Sequence, residues 1–143
     1  MTYLADVNVW VALSAIGHVH YSSAMEWFTE SEPDTIAFCR VTQQGFLRLL
    51  TNPRLMGENV VSAARAWELY DALRRDPRIT FTPEPPGLEE AWRDQTRALH
   101  TGANFWTDAY LAGFAAAAGF TLVSFDRDFR RYKDIQLTLL GTK

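Results

Sequence analysis

Three aspartates sit where the chain changes secondary structure: Asp6 in LADVNVW, Asp108 in NFWTDAYLAG and Asp126 in TLVSFDRDF. A carboxylate among apolar neighbours must be solvated at an edge, paired, or bound to a cation, because burying it alone is costly. Each has a plain structural job open to it. Asp6 can cap the helix that follows, Asp108 at a helix start is favourable with the helix dipole, and Asp126 can cap a turn. Brought to one place, however, three carboxylates repel unless a cation or a proton joins them. Such hard oxygen donors suit Mg²⁺ or Mn²⁺ rather than zinc. Asp128, two residues beyond Asp126, adds an auxiliary acid.

Other chemistries find less support. His18 and His20 share an expected loop and His100 stands alone, so no zinc cluster is formed. The single cysteine, Cys39, lies in the apolar run IAFC and reads as a buried structural thiol. There is no GxxxxGK[ST] phosphate loop and no GxSxG elbow around Ser14 or Ser124. An aspartyl-phosphate mechanism wants a lysine near the acids, and Lys133 is the one plausible candidate.

The elements that must position the acids follow from the hydrophobic pattern. TYLAD reads as a strand and VNVWVALSA as a helix; HYSSAMEWFTES is amphipathic, and PDTIAFC gives a turn and a second strand. VTQQGFLRLLTNP reads as a helix with Thr42 near its N-cap, ended by Asn52-Pro53. SAARAWELYDALRRDP is helical with Ser62 as cap, RITFTP is a strand, and PEPPG is a turn cluster. GLEEAWRDQTRALH places Leu88, Trp92 and Leu99 on one helical face. TDAYLAGFAAAAGF is an almost wholly apolar helix capped by Thr107, and Gly119 lies near its end. FTLVSFD, DRDFRRY and IQLTLL read as strand, short turn and final strand. Strands alternating with helices imply a single three-layer α/β/α domain over residues 1–143, with a central, mostly parallel sheet. In such folds the site lies beyond the carboxyl ends of the strands, where Asp6 and Asp126 fall.

Composition bounds the reading. The chain is 48% hydrophobic and 22% charged, with no apolar run long enough to span a bilayer and no basic region before its first apolar stretch. These features, with the lone cysteine, imply a protein of the reducing cytoplasm, free of membrane. A net charge of −3 argues against a generic nucleic-acid binder. Yet all its basic side chains except Lys133 and Lys143 are arginine, the residue suited to bidentate phosphate contact.

LADVNVWVAL, FCRVTQQGFLRLLTNP, NFWTDAYLAGFAAAAG and TLVSFDRDFRRYKDIQL together resemble, in order and spacing, the blocks of the PIN-domain family. They resemble in particular the VapC-type ribonuclease toxins of bacterial toxin–antitoxin pairs. The resemblance implies metal-dependent cleavage of RNA by a pocket in which Asp6, Asp108 and Asp126 hold one or two Mg²⁺ or Mn²⁺. Asn8 would brace that pocket, Thr107 would flank Asp108, and Asp128 would assist. Many members carry a glutamate in the helix after the second strand; here its place falls at Gly45, and Thr42 and Gln43 are neutral oxygen donors that could stand in. The number of metals is therefore left open.

An in-line attack by water on phosphorus would leave 5′-phosphate and 3′-hydroxyl ends. Arg48 and Arg54 beside the TQQGFLR helix, and Arg127, Arg130 and Arg131 beside Asp126, would supply phosphate contacts. Transfer-RNA or ribosomal-RNA loops are expected substrates, because loops expose backbone and bases. The resemblance further implies a homodimer neutralised by a small antitoxin, received on apolar surface around Trp27, Phe28 and the helix at 62–75. The alternative is a weakly active or inactive PIN-like interaction domain. The missing glutamate and five tryptophans (Trp10, Trp27, Trp67, Trp92 and Trp106) point that way, while the retained acids point against it.

Overall fold

Leu4 and Ala5, and Leu122 and Val123, are adjacent pairs whose side chains enter opposite cores. That period-two alternation makes the sheet the middle layer of three. The structure is a computed structural model, and it describes residues 1–98 and 102–141. His100, Leu99 and Lys143 lie outside the described residues.

The strands are β1 (Thr2–Ala5), β2 (Thr35–Phe38), β3 (Ile79–Phe81), β4 (Thr121–Ser124) and β5 (Gln136–Leu139). They pair in parallel throughout, in the order β3-β2-β1-β4-β5. The chain therefore winds outward from β1 to β3, then crosses back to place β4 on the other side of β1. Crossovers of this kind require helices on both faces.

One face is covered by α1 (Val7–Ser14), α2 (Tyr21–Glu30), α3 (Arg40–Leu50) and α5 (Ala63–Arg74). Its core is centred on Trp10, whose ring stacks on Phe38 at 3.7 Å and 9°. The opposite face is covered by α6 (Leu88–Thr96) and α7 (Phe105–Ala118), with Phe129 and Tyr132 from the turn after β4. Helices α6 and α7 approach closely because residue 113 is glycine: a Cβ there would lie 2.8 Å from the Trp92 backbone nitrogen.

Two boundaries differ from the sequence expectation. Pro53 does end α3, but it also opens a further short helix, α4 (Pro53–Met56), with Asn52 accepting the Arg54 N–H. Proline is favoured at the first helical position, so one dipeptide closes one helix and starts the next. Helix α7 begins at Phe105, so its N-cap position is Asn104 and Thr107 lies inside the first turn. The two aromatics ahead of Thr107 are part of the helix.

Candidate active site

In a sheet of order 3-2-1-4-5 the winding direction reverses between β1 and β4, and a crevice opens beyond their carboxyl ends. Asp6 follows β1 directly and donates its N–H to Val123 O in β4 at 2.9 Å. Asp126 comes two residues after β4, and Asp108 reaches the same crevice from the first turn of α7. All three line one cavity of about 310 Å³, together with Asn8, Gly45, Arg48, Asn52 and Thr107.

Capping and facing the cavity prove compatible. Asp6 Oδ1 accepts the Val7 N–H that opens α1, and Asp126 Oδ1 accepts the Asp128 N–H in the turn 127–131. Sequence reading passed over the residue joining them. Ser124, fully buried, donates its hydroxyl to Asp6 Oδ2 at 2.7 Å and accepts from Asn8 Nδ2 at 3.3 Å and from the Asp126 N–H at 2.9 Å. One donor and two acceptor bonds use all the capacity of a hydroxyl. Asn8 completes the brace by accepting the Phe125 N–H. The signal was its place two residues before Asp126; a search for nucleophilic serines could not find a serine that only holds carboxylates.

Electrostatics tie the acids together. Burial pushes the Asp108 carboxyl up to about 7, helped by the charges of Asp6 and Asp126, with Arg131 pulling the other way. Burial also raises Asp6, against the hydrogen bonds from Ser124 and Val7. A divalent cation would relieve both. Among the described residues no three His, Cys, Asp or Glu side chains converge closely enough to share one ion directly. A hard ion that keeps part of its water, as Mg²⁺ does, does not need three direct protein ligands.

The remaining expectations divide. Thr107 flanks Asp108 on the cavity wall, and Arg48 stands at its rim. Arg131 is half-buried, donates to Tyr132 Oη and lies in the field of Asp108. Arg54, Arg127, Arg130 and Asp128 are exposed and outside the lining. Thr42 and Gln43 are corrected: neither lines the cavity. Thr42 is sealed in the capping box with Cys39, and Gln43 Oε1 accepts from Arg40. Gly45, at the place of the family glutamate, lines the cavity but has no room for a side chain, for a Cβ there would lie 2.5 Å from Val7 Cγ2. Cys39 is buried and its thiol is raised by that burial, as an inert structural thiol should be.

Of the apolar surface expected to receive a partner, the part around Trp27 and Phe28 is corrected, while the helix at 62–75 does border a groove through Arg65 and Leu69. Trp27 is buried edge-on against Tyr3, and Phe28 lies under the Arg78 guanidinium at 3.9 Å. An apolar groove of about 410 Å³ runs instead between the α1–α2 loop, α3, α4 and α5, lined by Leu50, Met56, Val61 and Leu69. Leu49 and Leu55 line both this groove and the acidic cavity, so the two share a wall. His18 lies in the groove wall, and His20 stacks on Phe125 at 4.4 Å.

Residues 3–135 match the family model described as PIN domain. Ribonuclease VapC41 of Mycobacterium tuberculosis is 42% identical over 143 residues, covering 96% of this chain and 98% of that protein. Ribonuclease VapC38 of the same species is 34% identical, covering 86% and 84%. Among solved structures, VapBC2 from Rickettsia felis bound to a promoter DNA fragment aligns with a TM-score of 0.70 at 16% identity, covering 99% of this chain and 100% of that one. VapC20 of M. tuberculosis, described as a sarcin–ricin loop cleaving toxin, aligns at 0.64 and 22% identity, covering 90% and 92%. These two likenesses show the fold.

Proposed function

The chain belongs to the PIN-domain family, and from that premise we propose that it is a divalent-metal-dependent endoribonuclease, the toxin of a toxin–antitoxin pair, working as one domain over residues 1–143. The observation that carries this is the shared cavity of Asp6, Asp108 and Asp126 at the β1/β4 reversal, in a chain so similar to a ribonuclease over nearly its full length.

Asp6, Asp108 and Asp126 would hold Mg²⁺ or Mn²⁺. Bound there, the ion supplies polarisation of the scissile phosphate and a lowered pKa for the attacking water. The chain's own part is positional. Ser124 and Asn8 fix the Asp6 carboxylate, the Ser124 Oγ bond fixes the Asp126 backbone, and Arg48 at the rim meets a phosphate of the incoming strand. In-line displacement then leaves 5′-phosphate and 3′-hydroxyl ends. The substrate is a single-stranded loop of transfer or ribosomal RNA, whose backbone is open to a cavity at a sheet edge.

The antitoxin partner is supported by the groove. A segment with apolar side chains would fill it, and a basic side chain at one end would reach the acids past Leu49 and Leu55. The reading extends to a cytoplasmic homodimer, and among the described residues no helix is long and apolar enough to cross a membrane.

The test is cleavage of cellular RNA by purified protein in Mg²⁺ and in EDTA, with Asp6→Asn as control and the RNA ends mapped. Cleavage that survives EDTA, or is unchanged in Asp6→Asn, overturns the metal reading. Absence of any cleavage by the wild type overturns the nuclease reading.

A further inference from the structure

Trp106 is 63% exposed although it stands in the first turn of α7, two residues before Asp108. It is not a loose side chain. Its backbone carbonyl accepts the Trp92 indole N–H at 3.1 Å, and the two indoles meet at 90° with centroids 6.2 Å apart. Phe105 packs against it as well, at 5.4 Å and 60°. Together with Thr96, Glu89 and Arg93 of α6, the two tryptophans enclose a recess of about 320 Å³. Its walls are aromatic planes at right angles, and its rim carries a hydroxyl, a carboxylate and a guanidinium.

This recess and the acidic cavity flank the same helical turn. Trp106 lines the recess, while Asn104, Thr107 and Asp108 line the cavity. A strand lying in the cavity therefore needs to cross only the width of one helix, about 10–12 Å, to reach the recess. We propose that the recess between Trp106 and Trp92 is a subsite for one unstacked nucleobase of the RNA strand cut at the aspartates, with Trp106 as its stacking face. The inference rests on the endoribonuclease reading above.

The chemistry favours a base over an apolar side chain from a protein. A base offers a flat face to the exposed indole and polar edges to the rim, and stacking on aromatics is the general means by which single strands are gripped. Arg93 lies within the same recess, paired to Glu89 at 3.1 Å, and can turn to an RNA phosphate. Trp106 thus sets where the strand lies and which base sits beside the cut; it takes no part in bond breaking.

The experiment compares wild type, Trp106→Ala, Trp106→Phe and Asp6→Asn on single-stranded RNA loops in Mg²⁺, reading kcat, KM and the base preference at each position around the cut. Trp106→Ala is expected to raise KM about 10–100-fold with little change in kcat, and to flatten the preference at one position. Trp106→Phe should keep most of the affinity. For wild type, an abasic nucleotide at that position should raise KM by a similar factor, a measurement independent of how the variants fold. Unchanged KM and preference in Trp106→Ala, with Asp6→Asn inactive, overturns the subsite and leaves the nuclease reading standing. Loss of antitoxin binding alone, with cleavage as in wild type, overturns it also and assigns the recess to a protein. No cleavage by the wild type removes both readings.

Discussion

The Ser124 hydroxyl lies 2.7 Å from Asp6 Oδ2, across 118 residues of sequence, and ties the acid after β1 to the last residue of β4. Removing it strips Asp6 of a bond that favours its charged form and loosens both Asn8 and the Asp126 backbone. Ser124→Ala should therefore fold but lose about 10–100-fold in Mg²⁺ affinity, as seen when partners of metal-binding groups are removed. Calorimetric titration of Mg²⁺ checks this; an unchanged affinity would show that Asp6 is held by other contacts.

The acids should make the metal-free protein sensitive to pH. Asp108 is held at about 7 against an ordinary value of 3.8, so the folded chain binds that proton more tightly than the unfolded one. Its contribution to stability is complete below pH 3.8 and is lost as pH rises through about 7. Asp6 is raised also and acts in the same direction. Melting in EDTA should show Tm falling across that window, with a shallower fall in Asp108→Asn, and Mg²⁺ should restore Tm most at the alkaline end. Parallel slopes for wild type and Asp108→Asn would contradict the assignment.

Gly45 makes a prediction whose sign depends on a neighbour. Alanine there gains roughly 1 kcal/mol of helix propensity, but its Cβ collides with Val7 Cγ2, a branched side chain with little freedom to turn. Gly45→Ala should destabilise by about 1–3 kcal/mol. In a Val7→Ala background the same change should stabilise, giving a coupling that denaturant titration of the double-mutant cycle measures. Additive effects would mean that the two helices are not held at this spacing.

Gly113 offers no such relief. The atoms a Cβ would meet are Trp92 N at 2.8 Å and Cα at 2.9 Å, so α6 itself must move. Gly113→Ala should cost about 2–3 kcal/mol despite the gain in propensity. It should also alter Trp92 fluorescence, because that residue takes the displacement. A stability equal to wild type would refute the tight contact.

Arg48 is the arginine at the cavity rim, whereas Arg54 and Arg130 lie away from it. If it meets one phosphate, Arg48→Ala should weaken RNA binding across all sequences and reduce the slope of log K against log salt by about 0.7. Arg130→Ala should leave the slope nearer to wild type. Equal effects from both would mean a diffuse charge rather than a placed contact.

The sheet, its mostly parallel pairing and the place of Asp6 at the end of β1 were legible because strand and helix periods are written locally in the chain; the strand order was not. The convergence of Asp108 on the other two could be inferred only from resemblance, since nothing within NFWTDAYLAG records what it faces. Trp27 and Trp67 show the same limit: both lie on amphipathic helices, yet one is buried against Tyr3 and the other is half-exposed. Gln43 was offered as an oxygen donor on its polarity and helical position alone, whereas Arg40, one turn away, donates to its Oε1. Ser124 was missed because its role exists only once β4 lies beside β1.

That pairing of β1 with β4 has a bearing on biosynthesis. Asp6 is made 120 residues before Asp126, and a ribosome delivers residues in that order. Until β4 has emerged and docked, β1 has a neighbour on one side only and the acidic cavity lacks a wall. During synthesis, then, the Asp6 carboxylate waits for its second wall, and the three acids meet only after residue 126 has emerged.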